Sequence, residues 1–376
     1  MINSKDFIKM LNLNDLNFFC GVPDSLMTSF SKSLHFDFKD KNHIIATNEG
    51  SALGICAGYH LATNNIPLIY MQNSGLGNFI NPYVSLLHSK IYRIPFVLLL
   101  GWRGQPDVSD EPQHVFQGKI TLKLLELLEI NYLVISNKTS LQEISTFLST
   151  NLKKKLPIAI VVTKNTFEID QRTFYNNSSL VKRKEFLENI INKFDENTVF
   201  ISTTGKLSRE LYQIRNENSQ LKNDFYTVGG MGHASAISFG ISQYTKQEGK
   251  KIVCLDGDGS ILMHLGNSGL IGVAKNNNFF HIVFNNSSHE SVGGQPNIYS
   301  KLDTIELFKS LGYTNLFLIK KLADLDEIKF ENLTGPVYIE VIVQNFSEDN
   351  LPRPHTTPLE NKIEFMKKFG NEARNL

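Results

Sequence analysis

The residues best suited to chemistry begin with Lys251-Ile-Val-Cys-Leu-Asp-Gly-Asp-Gly-Ser260. An apolar strand pattern ends in Gly257-Asp258-Gly259, and a helical pattern starts at Ser260. In parallel sheets, ligands gather where strands end. Glycines there let backbone approach a diphosphate, and a helix N-terminus attracts the anion. Asp258 offers a hard oxygen to a divalent cation. Residues 260–284 then hold one helix and one strand, and that strand ends in Asn285-Asn286. The strand–helix–strand unit returns both loops to one edge. Magnesium takes about six oxygens and shares them with phosphates. Asp258, Asn286, the Ser288 carbonyl, diphosphate oxygens and water make up such a shell. An EF-hand does not fit, because Ile261 stands where that loop needs glycine.

Several other segments carry reactive or polar groups at strand ends. Ala46-Thr-Asn-Glu-Gly-Ser-Ala52 places Glu49 at a helix start. There it either stabilises the helix dipole or works in a pocket. Ser202-Thr-Thr-Gly205 lies between a strand and a helix, so Thr203, Thr204 and Gly205 can offer hydroxyls and amides to a phosphate. Thr227-Val-Gly-Gly-Met-Gly-His-Ala-Ser235 is glycine-rich. Gly50, Gly54 and Gly58 share one helix face, where a second backbone can approach, from this chain or another subunit.

The elements that hold these groups follow from periodicity. Short apolar runs alternate with helical patterns in two series. The first is Asn17–Cys20, His43–Ala46, Pro67–Met71, Phe96–Leu100, Tyr132–Ile135 and Ile158–Val162. The second is Val199–Ser202, Phe225–Val228, Lys251–Leu255, Phe279–Asn285 and Val337–Val343. Continuous apolar strands between helices predict α/β architecture: two doubly wound domains with parallel sheets covered on both faces. The polar stretch Asn165 to Leu180 reads as a linker, which puts the boundary near residue 175.

Composition narrows the classes. The chain has 376 residues, 41% hydrophobic and 20% charged, with net charge +1. That excludes a nucleic-acid surface and leaves the short lysine runs as solvated helix faces. The strongest apolar run, Ile94 to Leu100, is too short to span a bilayer. Cys20, Cys56 and Cys254 lie far apart in apolar segments, with no CxxC pair, which fits buried reduced thiols in a cytoplasmic protein. No GxGxxG follows a strand and no GKS or GKT P-loop is present, which argues against a nucleotide-binding protein.

Gly257-Asp258-Gly259 and Asn285-Asn286 at this spacing resemble the metal–diphosphate motif of thiamine-diphosphate enzymes. The resemblance implies thiamine diphosphate and Mg2+ as cofactors, with Asp258, Asn286 and the Ser288 carbonyl on the metal and Gly257, Gly259 and Ser260 near the diphosphate. It implies that Glu49 hydrogen-bonds the aminopyrimidine ring, that the Gly229 carbonyl meets the amino group, and that Met231 supports the coenzyme's bend. It makes residues 1–174 the pyrimidine-binding (PYR) domain and residues 175–376 the diphosphate-binding (PP) domain. It also implies a homodimer or dimer of dimers with the active site at the subunit interface.

Gly21-Val-Pro-Asp-Ser25, Gly101-Trp-Arg-Gly-Gln-Pro106, Asp110-Glu-Pro-Gln-His114 and His289-Glu-Ser-Val-Gly-Gly-Gln-Pro296 resemble the phosphonopyruvate decarboxylases, with the sulfopyruvate decarboxylases as close relatives. The implied reaction is decarboxylation of a small anionic 2-oxo acid. Ser25, Arg103 and His114 are the candidates for its anionic group, because charge-assisted hydrogen bonds to such oxygens are strong. His114 and His289 are the candidate proton carriers. The departure is Ser287-Ser-His-Glu290 after the metal asparagine, where the family has a glycine-containing turn.

Overall fold

The computed structural model describes residues 1–38, 42–174, 180–218, 224–245, 249–348 and 351–369. The chain forms two compact units, Met1–Phe174 with Ser291–Gln295, and Tyr175–Glu290 with Pro296–Leu376.

The first unit is built on six parallel strands: β1 (Phe19–Gly21), β2 (His43–Ile45), β3 (Leu68–Gln72), β4 (Val97–Gly101), β5 (Asn131–Ile135) and β6 (Ile158–Val162). Their order is β2-β1-β3-β4-β6-β5. Successive side chains of a strand face opposite sides, and here both sides are buried. Ile69, Met71, Leu98, Leu100, Ala159 and Val161 join one core; Leu68, Tyr70, Val97, Leu99, Ile158 and Ile160 join the other. Truncating such a leucine to alanine costs about 2–5 kcal/mol. The register pairs Gln72 with Gly101 and Gly101 with Val162. The loops after β3, β4 and β6 therefore leave from one edge.

The second unit repeats the plan with β7 (Val199–Ser202), β8 (Phe225–Tyr226), β9 (Ile252–Gly257), β10 (Phe279–Asn285), β11 (Asn315–Ile319) and β12 (Val337–Ile342), in the order β11-β12-β10-β9-β7-β8. One face is apolar throughout, with Val253, Leu255, Phe280, Ile282, Phe284 and Ile339. The opposite face mixes Cys254, Phe279 and Val283 with buried Asp256, His281 and Glu340. Ser202 pairs with Leu255, and Phe284 with Gly257. This brings the loops after β7, β9 and β10 to one edge.

Three features depart from the sequence expectation. β11 is an edge strand whose residues are mostly half-exposed, so its pattern is weak. The helix expected from Ser260 to about Lys275 starts at Asp258 and breaks into Asp258–Met263 and Gly266–Ala274. The break lies where Gly232 packs. At φ +88°, a β-carbon on Gly232 would lie 2.9 Å from Met263 Cβ and 2.7 Å from His264 Cδ2. Finally, residues 165–174 are no loose linker. Phe167 is buried and bridges Ile2, and Arg172 pairs with Asp37 and Asp170. The rest of that stretch, 175–179, lies outside the described residues.

Among the described residues, no helix is long and apolar enough to cross a membrane. All three cysteines are free and buried.

Candidate active site

In the second unit the structure brings together the loops after β7, β9 and β10 with the 227–232 turn. Asp258 is 4% exposed. Its Oδ1 accepts the Gly259 N–H at 2.7 Å, while Oδ2 is buried without a hydrogen-bond partner among the described residues. Burial pushes its carboxyl up to about 6, opposed in part by the Asn297 side chain and then by the backbone N–H groups of Gly259, Ser287 and Ser288. The turn after β10 therefore lies beside the Asp258 carboxylate. Asn286 is buried; its Oδ1 accepts the Ser288 N–H at 3.0 Å and its Nδ2 donates to Glu290 Oε2 at 3.2 Å. A buried carboxylate oxygen with no partner is costly. With the Asn286 turn close by, this free oxygen is of the kind a hard divalent cation takes.

The neighbouring backbone fits a diphosphate. Ser260 Oγ lies 2.9 Å from Thr203 Oγ1 and accepts the Gly232 N–H at 3.1 Å. Thr204 Oγ1 accepts the Gly229 N–H at 3.1 Å. A β-carbon placed on Gly205 or Gly257 would meet nothing within 4 Å, so the backbone there is open. One on Gly259 would lie 3.4 Å from His289 Nδ1 and 3.7 Å from Met231 Cε, which places all three side by side. Met231 is 39% exposed, so it is not core. Burial lowers the His289 pKa to about 4.

In the first unit, Asn48 caps the helix Glu49–Thr63 by accepting the Ser51 N–H at 2.8 Å. That cap fixes where Glu49 begins its turn. Glu49 is 5% exposed, and its Oε2 accepts from Asn78 Nδ2 at 2.8 Å. Gly75 lies against it: a β-carbon there would sit 2.5 Å from both Glu49 Cγ and Oε1. On the same helix Gly54 and Gly58 are exposed, and β-carbons there would meet nothing within 4 Å. Packing among the described residues does not account for them.

Ser25 and Arg103 come together beyond β1 and β4. Arg103 Nη1 donates to Ser25 Oγ at 2.9 Å, its Nε donates to Asp110 Oδ2 at 2.8 Å, and its Nη2 donates to Asp110 Oδ1. Asp110 also accepts the backbone N–H groups of Gly104 and Glu111, each at 2.8 Å. The Arg103 side chain is thereby held in one orientation. His114, in the first turn of the helix Pro112–Leu127, is buried, and its Nδ1 has no partner among the described residues. Burial, and then the Arg103 charge, lower its pKa.

Sequence reasoning missed several contributors. Gly75 and Asn78 belong to Asn73-Ser-Gly-Leu-Gly-Asn78, whose glycines form no dinucleotide fingerprint; their role comes from contact with a helix distant in sequence. Asp110 stands inside a quoted motif without an assigned role. Lys164 follows β6, and its position past a parallel strand's carboxyl end was the available signal. Glu290 collects Arg183 at 3.3 Å, Lys206 at 2.9 Å and the Ser347 N–H at 2.8 Å, as well as Asn286.

Both units match known domains. Residues 3–125 match the thiamine pyrophosphate enzyme N-terminal TPP binding domain, and residues 203–341 match the C-terminal TPP binding domain. The pair defines the class as thiamine pyrophosphate enzymes, with that molecule as coenzyme. Phosphonopyruvate decarboxylase of Streptomyces viridochromogenes is 31% identical over 382 residues, covering 96% of this chain and 93% of that protein. Phosphonopyruvate decarboxylase of Streptomyces hygroscopicus is 29% identical, covering 96% and 92%. Sulfopyruvate decarboxylase of Methanosarcina acetivorans is 25% identical, covering 81% and 83%. The chain belongs to the phosphonopyruvate decarboxylase family.

Proposed function

We propose that this enzyme decarboxylates 3-phosphonopyruvate to phosphonoacetaldehyde and carbon dioxide, using thiamine diphosphate held through Mg2+, in phosphonate biosynthesis in the cytoplasm. The observation that carries the coenzyme and metal reading is the unpartnered buried oxygen of Asp258 beside the Asn286 turn and the open glycine backbone. The unit up to Phe174 acts as the pyrimidine-binding domain, and the unit from Tyr175 as the diphosphate-binding domain.

Asp258, Asn286 and the Ser288 carbonyl hold the metal. Thr203, Thr204, Gly205, Gly257, Gly259 and Ser260 contact the diphosphate. Glu49 exchanges a proton with the aminopyrimidine ring, and Asn78 keeps its carboxylate in place. Gly229 supplies a carbonyl to the amino group, and Met231 supports the bend with a polarizable thioether. The coenzyme, when bound, supplies the nucleophilic carbon and the electron sink for the departing carboxylate. Ser25 and Arg103 orient the substrate's anionic end. Burial lowers the pKa of both His114 and His289, so either one, once protonated, gives its proton up readily.

The exposed Gly54 and Gly58 face supports a homodimer or dimer of dimers with its sites at the subunit interface. Mixing Glu49→Gln with Asp258→Ala chains then restores roughly a quarter of wild-type activity, as random pairing of C2 subunits requires. The substrate test is steady-state decarboxylation of phosphonopyruvate and sulfopyruvate. We expect the higher kcat/KM with phosphonopyruvate; a higher value with sulfopyruvate overturns the assignment.

A further inference from the structure

A cavity of about 220 Å³ lies within the first unit, at the carboxyl ends of β1, β4 and β6, with Ser25, Trp102, Arg103, Gln105, Asp110 and Lys164 in its lining. Its charge balance is informative. Arg103 and Asp110 neutralise each other through a two-point ion pair. Arg103 therefore presents donors in a fixed direction but little uncompensated charge. Lys164 is the remaining cation of the lining. Among the described residues it makes neither an ion pair nor a hydrogen bond. Its base is nonetheless fixed: Thr163 Oγ1 donates to the Ile135 carbonyl at 2.9 Å, and Thr166 Oγ1 donates to the Thr163 carbonyl at 2.8 Å. An ammonium on an anchored turn, lining the same cavity as a hydroxyl and a rigid guanidinium, suits a tetrahedral oxyanion.

We infer that Lys164 is the specificity residue of this enzyme, the cation that recognises the phosphonate end of the substrate. The inference rests on the decarboxylase reading and deepens it. A single uncompensated charge attracts a dianion more strongly than a monoanion, so Lys164 favours a phosphonate over a sulfonate of the same shape.

Trp102 lines the cavity and is the sequence's single tryptophan, so intrinsic fluorescence reports its occupation. The experiment titrates methylphosphonate, and separately methanesulfonate, into the full-length enzyme loaded with coenzyme and magnesium. Wild type gives a saturable change with tighter binding of methylphosphonate. Lys164→Met weakens methylphosphonate on the order of ten-fold, the size of one lost charge-assisted hydrogen bond. It also narrows the gap to methanesulfonate, and Lys164→Arg restores both. In turnover, Lys164→Met raises KM by a similar factor and leaves kcat within a few-fold, the pattern of lost uniform binding. No saturable response in wild type, or an unchanged methylphosphonate affinity in Lys164→Met, overturns the inference even in an active decarboxylase. A Lys164-dependent response in an enzyme that decarboxylates neither oxo acid sustains the pocket while defeating the proposed function.

Discussion

Replacing Gly75 with alanine adds one methyl group beside Glu49, and the structure fixes what that group meets. The β-carbon would lie 2.5 Å from Glu49 Cγ, 2.5 Å from Oε1 and 2.6 Å from Cδ. Carbon contacts are comfortable only from about 3.5 Å, so the glutamate must retreat by roughly 1 Å. Gly75 has φ −72° and ψ −11°, a helical conformation that alanine adopts freely. In open space the change would therefore stabilise by about 0.4–1 kcal/mol through the unfolded chain. Overpacking opposes this with about 1–3 kcal/mol, and the net loss is on the order of 1–2 kcal/mol. The functional effect is larger. Glu49 leaves its 2.8 Å hydrogen bond with Asn78, and a displacement of about 1 Å at a reacting group costs on the order of 100-fold in rate. Steady-state kcat, a denaturant midpoint and coenzyme affinity by calorimetry should show turnover reduced about 100-fold, a modest stability loss and affinity changed only a few-fold. A kcat within three-fold of wild type would refute the claim that Glu49 must hold this position.

Three further outcomes follow from the same geometry. Asp258→Ala removes the carboxylate of the proposed metal site, so magnesium-dependent coenzyme binding should weaken at least about 100-fold in calorimetry; wild-type affinity would contradict the assignment. Glu290→Gln deprives buried Arg183, Lys206 and Asn286 of a shared anion, which should lower the unfolding free energy by about 1–3 kcal/mol and weaken magnesium; an unmoved denaturant midpoint would count against it. Asp24 is fully buried, and burial raises its carboxyl from 3.8 to about 6. The folded state therefore favours the neutral acid. The resulting stability is complete below the unfolded pKa and is lost as pH rises through about 6. Asp24→Asn should thus gain on wild type progressively between about pH 4 and 6, reaching about 3 kcal/mol above that window; a difference that is flat with pH would show the reasoning wrong.

The parallel strands were legible because β4, β6, β9 and β10 are buried on both faces and read as apolar runs, broken only by His281 within β10 and by polar residues at the ends of β9 and β10. β11 was not, since an edge strand buries only part of its surface. The loops of residues 257–259 and 285–288 were legible as polar turns at strand ends because glycine, aspartate and asparagine carry their turn chemistry locally. The break at His264 was hidden, because Ile261 to Met263 continue an apolar pattern and the interruption comes from Gly232, distant in sequence. Gly75 and Asn78 were silent for the same reason. Each acts through a neighbour that only folding supplies, and nothing in its own segment names that neighbour.

The central claim is that Glu49 activates a coenzyme anchored around Asp258. Its most direct test is the rate at which the thiazolium C2 proton of enzyme-bound thiamine diphosphate exchanges with deuterium, measured by rapid quench and NMR in wild type and Glu49→Gln. The account predicts exchange slowed at least about 100-fold in the variant, the scale of a lost acid–base partner, with the coenzyme still bound. Equal exchange rates in the two proteins would contradict it.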